Sequence, residues 1–181
     1  MSEQSNLRLV FLDAAMFEDG AAIRGGVLIT DIETKPYEFR CTSPVRPTSI
    51  QRMLYGNTLE EYIYVELIGV PLIKAAKEKP SLVLVQTPLL LRIRPSLSCP
   101  VVLVRHNPQQ ATISSGTGEG ELKPIAISAH REFPAEASAA QAMLTPLLQE
   151  RDLLEPFERL RVALAESHKQ HIGDTEGKRG A

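Results

Sequence analysis

Hydrophobic and polar positions alternate through the first 42 residues in three short runs. Residues 7–15 (LRLVFLDAA), 21–32 (AAIRGGVLITDI) and 37–42 (YEFRCT) each fit a strand. MFEDG at 16–20, with Asp19-Gly20 as a hairpin signal, and ETKP at 33–36 supply the turns between them. Runs this close together are joined most economically as an antiparallel meander. Gly25-Gly26 inside the second run signals a bulge or a close backbone approach.

The period changes after residue 42. Thr48 or Ser49 can cap a helical turn carrying Ile50, Met53 and Leu54, and Gly56-Asn57 interrupts it. TLEE at 58–61 has the form of a capping box, in which Thr58 and Glu61 satisfy each other's backbone amides. The helix it opens carries Ile63, Leu67 and Val70 at helical spacing, should bend at Pro71 and ends at Pro80. SLVLVQ at 81–86 and CPVVLVRH at 99–106 are continuous apolar runs, as expected of strands covered on both faces. Between them, Thr87-Pro88 opens a short helix over 88–94. PIAISAH at 124–130 makes a last strand, and residues 135–171 are helical, with Pro146 and Pro156 setting new starts. Phe157, Leu160, Ala163 and Leu164 line one face there.

A long helix leading into a buried strand is a crossover, so the strand at 81–86 should run parallel to an early one. The expected fold is a single α/β domain over residues 1–172. Its mixed sheet joins the N-terminal antiparallel meander to parallel central strands, with helices on both faces. Residues 173–181 form a loose tail in this reading. The order of elements resembles the ribonuclease H-like fold. That resemblance implies two divalent cations, Mg²⁺ or Mn²⁺, held by carboxylates of the first strand, the first helix, the end of the fourth strand and the last helix. Asp13 fits the first place and Glu60 or Glu61 the second. The fourth-strand place holds Gln86, which is neutral, and Asp152 and Glu155 near the last helix are explained as helix-start residues. No metal ligand set is therefore assigned.

Composition narrows the field. The 181 residues carry a net charge of −2, which argues against binding nucleic acid through bulk charge. No apolar run approaches the roughly 20 residues of a membrane span. The polar start MSEQSN lacks the order of a secretion signal, and Cys41 and Cys99 have no metal-type or disulfide spacing, so a reducing cytoplasm is expected. Charge is uneven: residues 36–110 hold nine Lys/Arg against five Asp/Glu.

Familiar catalytic templates lack parts. SSGTGEGE at 114–121 has no Gly-Lys-Ser/Thr ending and carries two glutamates, so it is a flexible loop within 107–123 and not a phosphate cradle. No G-x-S-x-G occurs. His106, His130, His168 and His171 are scattered, and His130 with Glu132 makes a strand-end polar pair. The basic middle leaves Arg46, Arg52, Arg92, Arg94 and Arg105, which an α/β sheet would gather at a ligand-binding edge. Proline-fixed φ angles at Pro44 and Pro47 would stiffen the loop that carries Arg46. The leading expectation is a non-catalytic interaction protein or complex subunit presenting this edge to a nucleic acid or an acidic protein surface. The alternatives are a metal-dependent nuclease or phosphohydrolase using Asp13 with Glu60 or Glu61, and a binder of a small anionic metabolite.

Overall fold

The apolar runs near residues 82 and 101 lie side by side as parallel strands in the middle of a six-stranded sheet. The computed structural model describes residues 6–107 and 124–173. Strands β1 (Leu9–Phe17), β2 (Ala22–Thr30) and β3 (Pro36–Cys41) form the expected antiparallel meander. β4 (Leu82–Val85), which is followed by the short helix α4 (Pro88–Leu91), pairs in parallel with β1 on one side and with β5 (Val101–His106) on the other. β6 (Ile125–Ala129) closes the far edge antiparallel to β5, giving the order β3-β2-β1-β4-β5-β6. The expected mixed α/β sheet is what the chain forms.

Alternation along each strand sends successive side chains to opposite faces, and both faces are covered. On one face Leu9, Phe11, Leu84, Val102 and Val104 pack against α5 (Ala135–Leu148) and α6 (Glu155–Lys169) through Leu144, Phe157, Leu160 and Leu164. Phe11 and Phe157 meet edge to face at 5.2 Å. On the other face Val10, Leu12, Val27, Val83 and Val85 pack against Ile63, Ile68, Leu72 and Ile73 of the long crossover.

That crossover departs from the expected helix. After α1 (Ser49–Tyr55) it runs through α2 (Leu59–Glu61), a π-helical stretch at Tyr62–Gly69 and α3 (Val70–Ala75). Pro71 stands in the first turn of α3, so the π ladder ends where the missing amide would have been needed, and no α-helix interior has to bend around the ring. The capping box also sits elsewhere. Thr48 Oγ1 accepts from the Gln51 amide at 3.2 Å and Gln51 Oε1 from the Thr48 amide at 2.8 Å, whereas Thr58 donates its hydroxyl to the Tyr55 carbonyl. Thr48 is extended and free to cap, with Gln serving at the third position as Glu would, whereas Thr58 is already helical in a 3-10 turn that runs straight into α2. Pro146 lies inside α5, whose helix continues through it, and only Pro156 opens a new one.

Gly25 and Gly26 pair in regular register with Ala14 and Asp13, so the pair makes close approaches and no bulge. A Cβ on Gly25 would stand 1.9 Å from Ile68 Cγ2 on one face, and one on Gly26 would stand 2.7 Å from Leu164 Cδ2 on the other. Both helical layers therefore press onto β2 at neighbouring residues. α6 is held there by a second, polar contact: the fully buried Arg24 donates from Nε to His168 Nδ1 at 3.1 Å and from Nη1 to the Ile172 carbonyl at 2.6 Å. The glycine-rich run at 114–121 and the tail beyond residue 173 lie outside the described residues.

Candidate active site

Asp13 lies in the middle of β1, one residue beyond the last rung shared with the shorter β4, where Leu12 faces Val85. Gln86 follows directly on β4, so the two polar side chains stand at the same level on neighbouring central strands. This is the edge at which parallel α/β sheets place their chemistry. Asp13 is 3% exposed, and such a carboxylate must be paired or hydrogen-bonded. Its Oδ1 accepts from the Ala14 amide at 2.9 Å. Its Oδ2 accepts from Arg161 Nε at 2.8 Å and Nη2 at 2.7 Å. Arg161 Nη2 also donates to Gln86 Oε1. One guanidinium thus ties the middle of β1 to the residue that follows β4.

Arg161 comes from α6, and its place follows from the stripe that packs on the sheet. It lies four residues after Phe157 and three before Leu164, both fully buried. Gly26, opposite Asp13 on β2, lets Leu164 settle close enough for the next turn of α6 to reach the carboxylate. The two side chains differ sharply in exposure, 47% for Arg161 and 4% for Asp13, so the cation faces solvent and the anion supports it.

On the crossover side, burial pushes the Tyr64 phenol up, and the negative charges of Glu60 and Asp13 push it further. Glu60 is exposed on α2, so both charges act on one buried phenol at this edge. Glu61 is turned away into an ion pair with Arg92. That pair lines a cleft of about 650 Å³ with Pro88, Leu91, His130 and Glu132.

The arginines do not collect into one rim. Arg46 binds Glu18 through Nε at 3.1 Å and Nη2 at 2.7 Å. Arg94 is nearly buried between Glu136, at 2.7 Å, and the ring of Phe133, at 3.8 Å. Arg52 is exposed on α1 and Arg105 on β5. Each of Arg46, Arg92 and Arg94 serves a different carboxylate. The side chain at this edge that the sequence reading missed is Arg161, and its signal is a cation set into the apolar stripe of the last helix.

The donor set was tested against the metal pair that the fold implies. Asp13 has one oxygen on a backbone amide and the other on a guanidinium; Gln86 brings no charge; Glu61 is committed to Arg92. Among the described residues no group of three or more His, Cys, Asp or Glu could hold a metal ion. These residues do not fit two divalent cations, which need several carboxylates to offset their charge.

The strand order, the parallel β1-β4-β5 core and the Asp13 edge define a ribonuclease H-like α/β fold. Solved structures of endonuclease V share it. Human endonuclease V superposes with a TM-score of 0.61 at 14% identity, over 91% of this chain and 85% of that one. The Streptomyces avermitilis endonuclease V gives 0.58 at 15% identity, over 91% and 84%. The Ciona intestinalis enzyme, in complex with a 24mer DNA containing an inosine followed by a ribo-adenosine, gives 0.55 at 13%, over 93% and 89%. No protein family and no curated relative matches the chain. These nuclease neighbours, together with the dispersal of the arginines into separate ion pairs, overturn the expectation of a non-catalytic interaction subunit built on an arginine edge. No helix among the described residues is long and apolar enough to cross a membrane.

Proposed function

We propose that this chain is a nuclease-class protein that acts on the phosphodiester backbone of a nucleic acid at the Asp13 edge. The observation that carries the reading is the meeting of Asp13, Gln86 and Arg161 where β4 ends beside the middle of β1. Fold similarity to structures of endonuclease V, one of them holding DNA, supports it.

Arg161 spends Nε and Nη2 on Asp13 and Gln86, which leaves Nη1 to donate to a non-bridging phosphate oxygen. As water attacks phosphorus, negative charge grows on those oxygens, and a guanidinium already fixed in place stabilises it. Asp13 is too buried to touch substrate, so it acts as a positioning residue for Arg161. Glu60 is the exposed carboxylate that takes the proton of the attacking water. The new bond joins water oxygen to phosphorus, and the bond to the leaving sugar oxygen breaks, that oxygen gaining a proton from solvent. Free Cys41 and Cys99 suit a reducing, cytoplasmic setting.

The test is cleavage of end-labelled single- and double-stranded DNA and RNA oligonucleotides. Arg161→Ala and Glu60→Gln should each slow turnover by about 100-fold or more. Purified protein that cuts none of these substrates, or variants that cut as fast as wild type, would overturn the reading.

A further inference from the structure

The mismatch between this fold and its site leads further. Two divalent cations would sit among the first strand, the first helix, the end of the fourth strand and the last helix. At these places the chain offers Asp13, exposed Glu60, Gln86 and Arg161, and the last of these is itself a cation in contact with two of the others. We propose that the Arg161 guanidinium is a built-in replacement for the divalent cation at this centre, so that the edge takes a phosphate oxygen of a nucleic acid with no metal ion bound. The identity of that ligand rests on the nuclease-class reading above; the replacement itself does not.

Three observations support it. Both Asp13 oxygens are already engaged, one by the Ala14 amide and one by Arg161 in a two-pronged contact. A metal could take that oxygen only by expelling a like charge that the protein holds in place. The Gln86 carbonyl is drawn into the same contact, and an amide stabilises a guanidinium without competing for it as a second carboxylate would. Finally, the packing of α6 brings Arg161 to this edge. Phe157 and Leu164 are fully buried on either side of Arg161 along α6, and the missing side chain at Gly26 lets that turn approach the strand.

Titration of the wild-type protein with MnCl₂, followed by calorimetry and by water-proton relaxation, tests this directly. No saturable binding at concentrations up to about 10 mM is expected. At matched ionic strength, affinity for a fluorescent oligonucleotide should agree within about twofold between EDTA and MgCl₂. The variant combining Gln86→Asp with Arg161→Ala should gain Mn²⁺ binding by about tenfold or more over wild type. Gln86→Asp alone keeps the guanidinium and its pairing, and should remain folded and bind no Mn²⁺. Saturable Mn²⁺ binding by wild type at or below about 10 mM would overturn the proposal, as would Mn²⁺ binding by Gln86→Asp alone. The two readings fail separately. Mn²⁺ binding by wild type retires the replacement and spares the nuclease, whereas absence of all cleavage without Mn²⁺ binding does the reverse.

Discussion

Replacing Gly25 by alanine should weaken the protein through a single steric conflict. The new methyl would lie 1.9 Å from Ile68 Cγ2 and 3.2 Å from Leu72 Cδ1. Carbon atoms prefer about 3.5–4.0 Å, so the first contact is short by about 2 Å. Ile68 is fully buried and β-branched on a helical segment, which leaves its χ1 almost no alternative. Relief must come from outward movement of the Tyr62–Gly69 stretch, and overpacking of this kind costs about 1–3 kcal/mol. Such a severe overlap belongs at the upper end, about 3 kcal/mol. Alanine returns about 0.7 kcal/mol by restricting the unfolded chain, so the net loss is about 2 kcal/mol. For a chain of this length that lowers Tm by about 4–8 °C. Urea unfolding followed by circular dichroism measures the loss, and Ile68→Ala supplies the control. If the clash is the cause, the double variant is less destabilised than the sum of the singles, by about 1–2 kcal/mol. A loss under about 0.5 kcal/mol for Gly25→Ala, or strict additivity with Ile68→Ala, would refute the reasoning.

Three further substitutions probe two of the ion pairs that hold the arginines. Glu136→Ala strands the nearly buried Arg94 without its carboxylate and should cost about 3 kcal/mol in urea unfolding, against about 1 kcal/mol for Glu136→Gln. Similar losses for the two variants would count against the charge argument. Glu18 is held below the usual carboxylate range, first by its hydrogen bond to Arg46 and less by His168. A depressed carboxyl stabilises the folded state above its unfolded pKa of about 4.3, and that contribution disappears as pH falls through the lower folded value. The Tm gap between wild type and Glu18→Gln should therefore be small, salt-sensitive and present at neutral pH, and should close below about pH 4. A gap that persists in acid would contradict this.

Much of the sheet was legible because its signals are local. Leu82–Val85 and Val101–Val104 are uninterrupted apolar runs, and only a strand covered on both faces uses such a run at that length. Asp13 stood out as a carboxylate within an apolar strand, and Gln86 as a neutral residue where the resemblance called for charge. Arg161 did not stand out, because it lies 148 residues from its partner in the chain. Its helix also presents the ordinary mixture of apolar stripe and charged surface. The clue was positional: both Arg161 and His168 fall on the stripe of Phe157 and Leu164, and both reach polar groups of the sheet. The capping box was expected at the wrong threonine because the sequence does not show that Gly56–Thr58 continues as a 3-10 turn into the next helix, which leaves Thr58 helical and unable to cap. Pairing of surface arginines with distant glutamates depends wholly on tertiary structure, so their dispersal could not be read in advance.

The π-helical run in the crossover has a consequence for the length of the chain. Each of its wide turns stores extra backbone relative to an ordinary helix, in a segment flanked by α-helical turns on both sides. Excising one amino acid there can be absorbed by tightening the coil, which keeps the residues before and after it facing the sheet. The same excision in α6 has no slack to draw on and would swing Arg161 and His168 out of phase with the strands they grip.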